Sequence, residues 1–223
     1  MTPRSVVVSL VLLVWVGPLA GPAQGQAPPG ADADRAEQYQ RACDLGDGPS
    51  CVKLGLSYVD GSGVVRDPAR ALILFQQGCE MKAAGGCGNA GILLATGQGV
   101  TKDEPRALAF YLRACDLGEG GACSKAAEML GQGRGGPVDW GRAAEAFKKG
   151  CDLRDPASCY WLGEMYYEGK DVPRNDARAA ELFRFACAAG GRGCLLRPGC
   201  SSCAGFGRPA RCGQGGGVVR PGL

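Results

Sequence analysis

Cysteine recurs at a fixed interval along this chain. Five cysteines lie 36 residues apart, namely Cys43, Cys79, Cys115, Cys151 and Cys187. A second set follows the first at an offset of eight residues and keeps the same period, namely Cys51, Cys87, Cys123 and Cys159. A period of this length is typical of a solenoid, in which each repeat is one supersecondary unit that buries its apolar face against its neighbours. The cysteines therefore predict an array of stacked repeats.

The offset between the two sets constrains the path of the chain. Residues eight apart on one continuous helix lie about 12 Å apart, whereas the Cα atoms of a disulfide lie within roughly 7 Å of each other. If the two members of a pair are bonded, the chain must turn between them. Each pair would then link the end of one helix to the start of the next.

Other positions repeat with the cysteines, and residues at equivalent positions of successive units are called a column below. The units run without gaps over Cys43–Gly78, Cys79–Ala114, Cys115–Gly150 and Cys151–Ala186. The repeating columns are Gly61, Gly97, Gly133 and Gly169; Arg70, Arg106, Arg142 and Arg178; Ala71, Ala107, Ala143 and Ala179; and Phe75, Tyr111, Phe147 and Phe183. A half unit precedes the first cysteine, because Tyr39 falls in the aromatic column.

Each unit is predicted to hold two helices of about ten residues. The first runs from about the second cysteine to just before the glycine column, whose members suit the left-handed residue that ends a helix. The second begins near residues that are good N-caps and ends at the next cysteine. The predicted N-caps are Asp67, Asp103, Asp139 and Asn175, with Ser50 predicted to cap the first helix of its unit. Helices this short are marginal alone in water, so several units must pack together.

The N-terminus has the pattern of a secretory signal peptide. Arg4 precedes an apolar run from Val6 to Val16, which is too short to span a membrane as a helix. Ala23-Gln24-Gly25 is the predicted cleavage site, so that residues 1–25 are the signal and 26–31 a linker. We expect an exported protein, periplasmic or secreted, with no membrane span after cleavage. An oxidising destination also explains the cysteine density.

The composition excludes several classes of function. The formal net charge is +3, which implies no general nucleic-acid or membrane electrostatics. The chain has no histidine, which removes histidine-based acid–base catalysis and the usual zinc hydrolase sites. We predict no metal and no cofactor.

The units resemble Sel1-like repeats, which are relatives of the tetratricopeptide repeat. The motifs are most similar to those of the secreted cysteine-rich Hcp family of Helicobacter, and the resemblance covers residues from about Asp32 to Cys194. The matching motifs are Cys43-Asp44-Leu45-Gly46, Cys51, Leu54-Gly55, Tyr58, Gly61-Ser62-Gly63-Val64, Asp67 and Arg70-Ala71. The resemblance implies an all-α, α/α superhelical solenoid with one disulfide per helix pair and a concave protein-binding face. For some members it also implies binding or slow hydrolysis of β-lactams.

The disulfide pairs predicted on this basis are Cys43–Cys51, Cys79–Cys87, Cys115–Cys123 and Cys151–Cys159. Whether Cys187 and Cys194 close in the same way is left open, because their offset is one residue shorter. The repeat domain is placed at residues 32–194. Residues 195–223 form a Gly-, Arg-, Pro- and Cys-rich tail with five arginines and no acidic residue from Gly191 onward, and we predict that this tail is disordered. A shift of reading frame near Gly190 is one hypothesis for this break in the pattern.

Two short motifs have competing interpretations. Ser50-Cys51-Val52-Lys53 matches the Ser-x-x-Lys string of serine β-lactamases, but the accompanying Ser-Asp-Asn and Lys-Thr-Gly strings are absent. Ser50 and Lys53 are therefore weak catalytic candidates. In the tail, Cys200 and Cys203, with Cys194 and Cys212 nearby, are compatible with zinc binding or thiol–disulfide exchange, but the composition favours incidental cysteines.

The remaining candidate is a binding surface on the first helices. The predicted face consists of two columns that vary where the core columns do not, namely Lys53, Asn89, Lys125 and Trp161, and Asp60, Thr96, Gln132 and Glu168. Tyr160 and Tyr167 beside Trp161 would add aromatic surface. The alternative is that these are ordinary solvated positions.

Two functions follow. The first is an interaction module that binds a peptide or protein segment on the concave face. The second is a β-lactam-binding hydrolase, with a β-lactam or a cell-wall peptide as ligand, for which a covalent serine adduct with penicillin would be the signature.

Overall fold

The computed structural model describes residues 30–190, and in this range the chain forms nine α-helices and no strand. The helices are α1 Ala31–Asp44, α2 Gly48–Asp60, α3 Pro68–Glu80, α4 Ala84–Thr96, α5 Glu104–Asp116, α6 Gly120–Gln132, α7 Trp140–Asp152, α8 Pro156–Glu168 and α9 Asp176–Ala188. The predicted all-α solenoid is confirmed. The predicted signal peptide, Cys194 and the cysteines of the tail lie outside the described residues.

The helices belong to two alternating sets, the first and the second helices of the units. α2, α4, α6 and α8 are the first helices of their units, and α3, α5, α7 and α9 are the second helices, with α1 as the second helix of the half unit. Each first helix packs against the second helix before it and the second helix after it. First helices also contact each other directly, α2 with α4 and α6 with α8, as α5 does with α7 among the second helices. The array therefore has two sides, one made of first helices and one of second helices.

The helices are longer than predicted, because each first helix begins before its cysteine and each second helix ends after its cysteine. All of them except α1 have 13 residues. The second helices begin after the predicted caps, and the side chain of Asp67 accepts a hydrogen bond from the backbone N–H of Arg70 at 3.0 Å. The prediction for Ser50 was wrong. Asp47 is the N-cap, and it accepts from the backbone N–H of Ser50, which lies in the first turn.

The turn that leads from each second helix into the next first helix repeats in every unit. The residue that follows the C-cap of each second helix has a left-handed backbone, with φ between 62° and 95° at Gly46, Lys82, Gly118, Arg154 and Gly190. Beyond this residue the backbone N–H of Asp47 donates to the carbonyl of Ala42 at 3.0 Å, and the later turns repeat this bond. The turn reverses the chain within four residues. The two cysteines that flank it are thereby brought close together.

The four predicted disulfides are confirmed. Their Cα–Cα separations are 4.7, 4.6, 4.7 and 4.5 Å in chain order, within the range that a disulfide requires. Each one links the end of a second helix to the first turn of the next first helix. Cys187 is also disulfide-bonded.

Within a unit, the first and second helices pack a glycine against an aromatic ring. A Cβ built at Gly55 would lie 2.6 Å from Cε1 of Phe75, whose ring is buried, so only a residue without a side chain allows this approach. Gly91 meets the ring of Tyr111 and Gly163 that of Phe183 in the same way. The buried core runs along the array, because Leu72 and Phe110 pack against both of its clusters.

We expect that replacing Cys115 and Cys123 by alanine lowers the free energy of unfolding by about 2.5 kcal/mol, the chain-entropy value for a loop of this length. The measurement is denaturant unfolding of the oxidised protein, compared with the wild type. Because both sulfurs are buried, the cavity left behind adds to the loss. An unchanged midpoint would contradict the role given to these links.

We expect that Gly55→Ala destabilises the protein by about 1–3 kcal/mol, because overpacking against the Phe75 ring outweighs the roughly 1 kcal/mol gained in helix propensity. Gly121→Ala is the matched control. A Cβ at Gly121 in α6 meets nothing within 4 Å, so this variant should keep or raise the wild-type stability. Equal effects of the two substitutions in thermal unfolding would refute the close packing.

Candidate functional site

The solvent-exposed side of the first helices, called the first-helix face below, carries most of the predicted binding columns. Lys53 and Lys125 are exposed, whereas Asn89 and Trp161 are half-buried. All four residues of the other column are exposed, namely Asp60, Thr96, Gln132 and Glu168. Six of the eight predicted residues are thus exposed to solvent.

Two residues of the first predicted column, Lys53 and Trp161, contact the aromatic column of the preceding unit. Nζ of Lys53 is 5.5 Å from the ring centroid of Tyr39. The rings of Trp161 and Phe147 have centroids 6.3 Å apart and planes 27° from parallel. Part of the Trp161 ring is therefore buried between helices. Replacing this residue would affect the stability of the fold as well as any ligand contact.

The neighbouring aromatic residue, Tyr160, extends this ring cluster to α9. Tyr160 meets the edge of Trp161 at a centroid distance of 5.5 Å and lies 5.6 Å from Phe183 of α9. The aromatic group predicted from the sequence as a ligand anchor is thus partly a bridge between α7, α8 and α9. Its remaining surface is still accessible, because both Tyr160 and Trp161 are only half-buried.

Sequence reasoning missed a third column on this face. It consists of Leu56, Ile92, Glu128 and Glu164, three residues after one predicted column and four before the other. That spacing puts all three columns on one side of the first helices. Leu56 is 41% exposed and Ile92 is 46% exposed, whereas Glu128 is half-buried and Glu164 is buried. The change from aliphatic to acidic residues along this column is the sequence feature that could have identified it.

An ion pair occupies the face in the third unit. Nζ of Lys125 lies 3.1 Å from Oε2 of Glu128, and both side chains keep substantial exposure. Exposed pairs of this kind contribute about 0.2–1 kcal/mol to stability. The pair can therefore open to meet a charged ligand at little cost.

Glu119 is an unusual carboxylate at the start of α6. It holds the N-cap position, but its side chain makes no capping hydrogen bond. A Cβ at Gly88 of α4 would lie 2.8 Å from Oε2 of Glu119, so the carboxylate lies against bare helix backbone. Its Oε2 is buried and has no hydrogen-bond partner among residues 30–190. Burial raises the pKa of the Glu119 carboxyl above its ordinary value.

The catalytic candidates do not form a nucleophile–base pair. Ser50 is only 7% exposed, and its hydroxyl donates to the carboxylate of Asp47. Lys53 lies over Tyr39, and no hydrogen bond joins it to Ser50 within the described part of the chain. Residues 30–190 also contain no group of three or more His, Cys, Asp or Glu side chains that could hold a metal ion.

We expect that Glu119→Gln stabilises the protein at neutral pH. The pKa of Glu119 is higher in the folded state than in the unfolded state. Its protonated carboxyl therefore stabilises the fold at pH values below the ordinary glutamate pKa. This contribution is lost as the pH rises through the raised value. The difference in unfolding free energy between wild type and variant should therefore shrink on acidification. Glu145→Gln, at an exposed position of α7, is the control that should show no such difference, and a pH-independent gap at Glu119 would contradict the burial argument.

Comparison with known proteins agrees with this architecture. The sequence profile of the Sel1 repeat matches residues 30–47, 48–82, 86–119, 121–155 and 156–191. No protein of curated function matches the sequence significantly.

Solved structures with the same arrangement of helices include a Sel1 repeat protein from Oxalobacter formigenes, with 26% identity and a TM-score of 0.65 over 72% of this chain. They also include c5321, a protective antigen of uropathogenic Escherichia coli with an SLR fold, with 28% identity and a TM-score of 0.64 over 70% of this chain. This chain spans 65% of the first protein and 33% of the second. Cysteine-rich protein B of Helicobacter pylori matches 60% of this chain and 98% of its own, with 26% identity and a TM-score of 0.49. The profile matches cover more than half of the sequence, and the chain belongs to the Sel1 repeat family.

Proposed function

We propose that this protein is an exported interaction module that binds a peptide or protein segment along its first-helix face. The observation that carries the proposal is the contrast between buried and exposed columns. The buried column of Ala71, Ala107, Ala143 and Ala179 is identical in every unit. The exposed column of Asp60, Thr96, Gln132 and Glu168 differs in every unit. A repeated frame with a varied surface is suited to recognise one particular extended partner.

The arrangement of the helices supports the proposal. Direct contacts of α2 with α4 and of α6 with α8 join neighbouring first helices in pairs on this face. Repeat arrays use such extended surfaces for binding, and Sel1 repeats generally mediate protein interactions. A partner that lies across successive first helices would contact all four units.

The disulfides support an exported location. Four disulfides in one short array indicate an oxidising environment, because thiols stay reduced in the cytosol. No helix within residues 30–190 has the length and apolarity that crossing a membrane requires. With the signal pattern predicted at the N-terminus, we propose the periplasm or the extracellular space as the location.

Hydrolysis of β-lactams remains an expectation from the family resemblance alone. The described geometry adds no observation in its favour, because the hydroxyl of Ser50 is buried and engaged with Asp47. A nucleophile in such a position would need the first turn of α2 to open before it could reach a substrate.

We expect that the double substitution Lys125→Glu and Gln132→Glu weakens partner capture by about tenfold or more, since both residues are exposed on the first-helix face. The measurement is cross-linking and affinity capture from the envelope and culture supernatant of the source cells. Wild type and variant would be compared at equal concentration and equal thermal stability.

Lys148→Glu is the matched control, because Lys148 is an exposed lysine on the second helix α7. It makes a similar change of charge on the opposite side of the array. Capture that survives the double substitution, or that Lys148→Glu reduces to the same degree, would contradict binding at the first-helix face.

A further inference from the structure

A groove lies between two neighbouring second helices. It separates α3 from α5, whereas α5 and α7 contact each other directly. Its volume is about 710 Å³, which is in the range of protein binding sites. Its lining includes Ala69 and Leu72 of α3, Leu94 of α4, Val100 and Thr101 of the turn that follows, and Arg106 of α5. None of the three columns of the first-helix face contributes a residue to it, so a ligand here would occupy a separate site.

The lining of the groove is mostly apolar, with a cation at one end. Leu72 and Val100 are half-buried, so that part of each side chain is accessible from the groove. Ala69 is exposed at the rim. The cation is Arg106, whose side chain is 56% exposed. A group that fits here therefore has an apolar surface and is attracted to a guanidinium.

The guanidinium of Arg106 is only weakly held by its neighbours. Its ion pair with Asp103 has an N–O distance of 3.9 Å, the longest among the ion pairs of the described residues. The carboxylate of Asp103 is held at the start of α5, because it accepts a hydrogen bond from the backbone N–H of Arg106 at 3.1 Å. A long, exposed pair of this kind contributes little to stability. The guanidinium can therefore turn towards a ligand at little cost.

The preceding unit shows which chemical group suits this place. Arg70 and Tyr58 are the equivalents of Arg106 and Leu94, 36 residues earlier in the chain. There the guanidinium of Arg70 lies over the ring of Tyr58, with Cζ 5.1 Å from the ring centroid. Guanidinium groups are attracted to the faces of aromatic rings. Because position 94 is a leucine, this column supplies no ring to Arg106, and a ring from another molecule would restore the contact.

We infer that the groove between α3 and α5 receives an aromatic side chain, tyrosine or phenylalanine, of a partner protein. The ring lies against Leu72 and Val100, with the guanidinium of Arg106 over its face. The groove is open along one side, so it admits a side chain that is still attached to its backbone and would leave a small free ligand largely in water. This contact is a second site, beyond the one proposed on the first-helix face.

The test is a titration of the isotope-labelled, oxidised full-length protein with N-acetyl-tyrosine amide, followed in two-dimensional amide NMR spectra. We expect saturable shifts of the backbone amides of Val100, Thr101 and Arg106, which line the groove. The comparison probe is N-acetyl-leucine amide, which has the same backbone and an aliphatic side chain. It should bind at least about threefold more weakly, because it lacks the ring that attracts the guanidinium.

Two pairs of variants locate the contact. Arg106→Gln should weaken binding of the tyrosine probe by about threefold, whereas Arg142→Gln, at the equivalent exposed arginine of α7, should leave it unchanged. Ala69→Trp should abolish binding, because the indole would fill the groove from its rim. Ala33→Trp is the matched control, since Ala33 is an exposed alanine at the equivalent position of α1.

The inference is overturned if the tyrosine probe gives no saturable shifts, if the leucine probe binds equally well, or if Arg106→Gln and Arg142→Gln have the same effect. Binding that persists in Ala69→Trp, or that Ala33→Trp also abolishes, would place the ring elsewhere and overturn it too. It is likewise overturned if free hydroxyphenylacetate binds more tightly than the tyrosine probe, since the groove would then be a site for a small aromatic carboxylate. These outcomes concern the groove alone, because capture at the first-helix face is tested by its own variants.

Discussion

Every junction between units depends on the left-handed turn that connects a second helix to the next first helix. The turn reverses the chain within four residues and brings two cysteines to Cα separations of 4.5–4.7 Å. The disulfide then fixes the angle between two helices that are too short to be stable alone. Because the same junction occurs four times among the described residues, each unit inherits its position from the one before. The placement of all first helices on one side of the array is a consequence of that repetition.

In this arrangement, the residues that stabilise the array differ from those that are exposed for recognition. The residues that hold the helices together face inward, as Gly55 does against the ring of Phe75. The residues that face outward on the first helices do not have to fit into this close packing. Leu56 and Glu128, at equivalent positions, have opposite chemistry without any change in the helix that carries them. A surface of this kind can be adapted to a partner one unit at a time, since contacts in a repeat array are local.

Much of the fold was predictable because it depends on local chemistry. The caps at Asp67 and its equivalents were predicted correctly, since an aspartate before a helical stripe has few other roles. The disulfide partners followed from the period and the resemblance together. Ser50 was misassigned because the helix begins earlier than predicted, at Gly48, with Asp47 as its N-cap. The column of Leu56 and Ile92 was missed because an aliphatic residue on an amphipathic helix is normally assigned to the core.

The sequence by itself determined the length of the repeat and the approximate position of each helix, because a period of 36 residues and the capping residues act within one unit. Only the tertiary structure decided which side chains are exposed. Trp161 is half-buried because Phe147 of the preceding unit lies against it, and Ile92 is exposed because none of the nine described helices covers that side of α4. Glu119 has a raised pKa because Gly88, on another helix, leaves room for its carboxylate. These properties depend on contacts between units, which the periodicity of one chain segment does not specify.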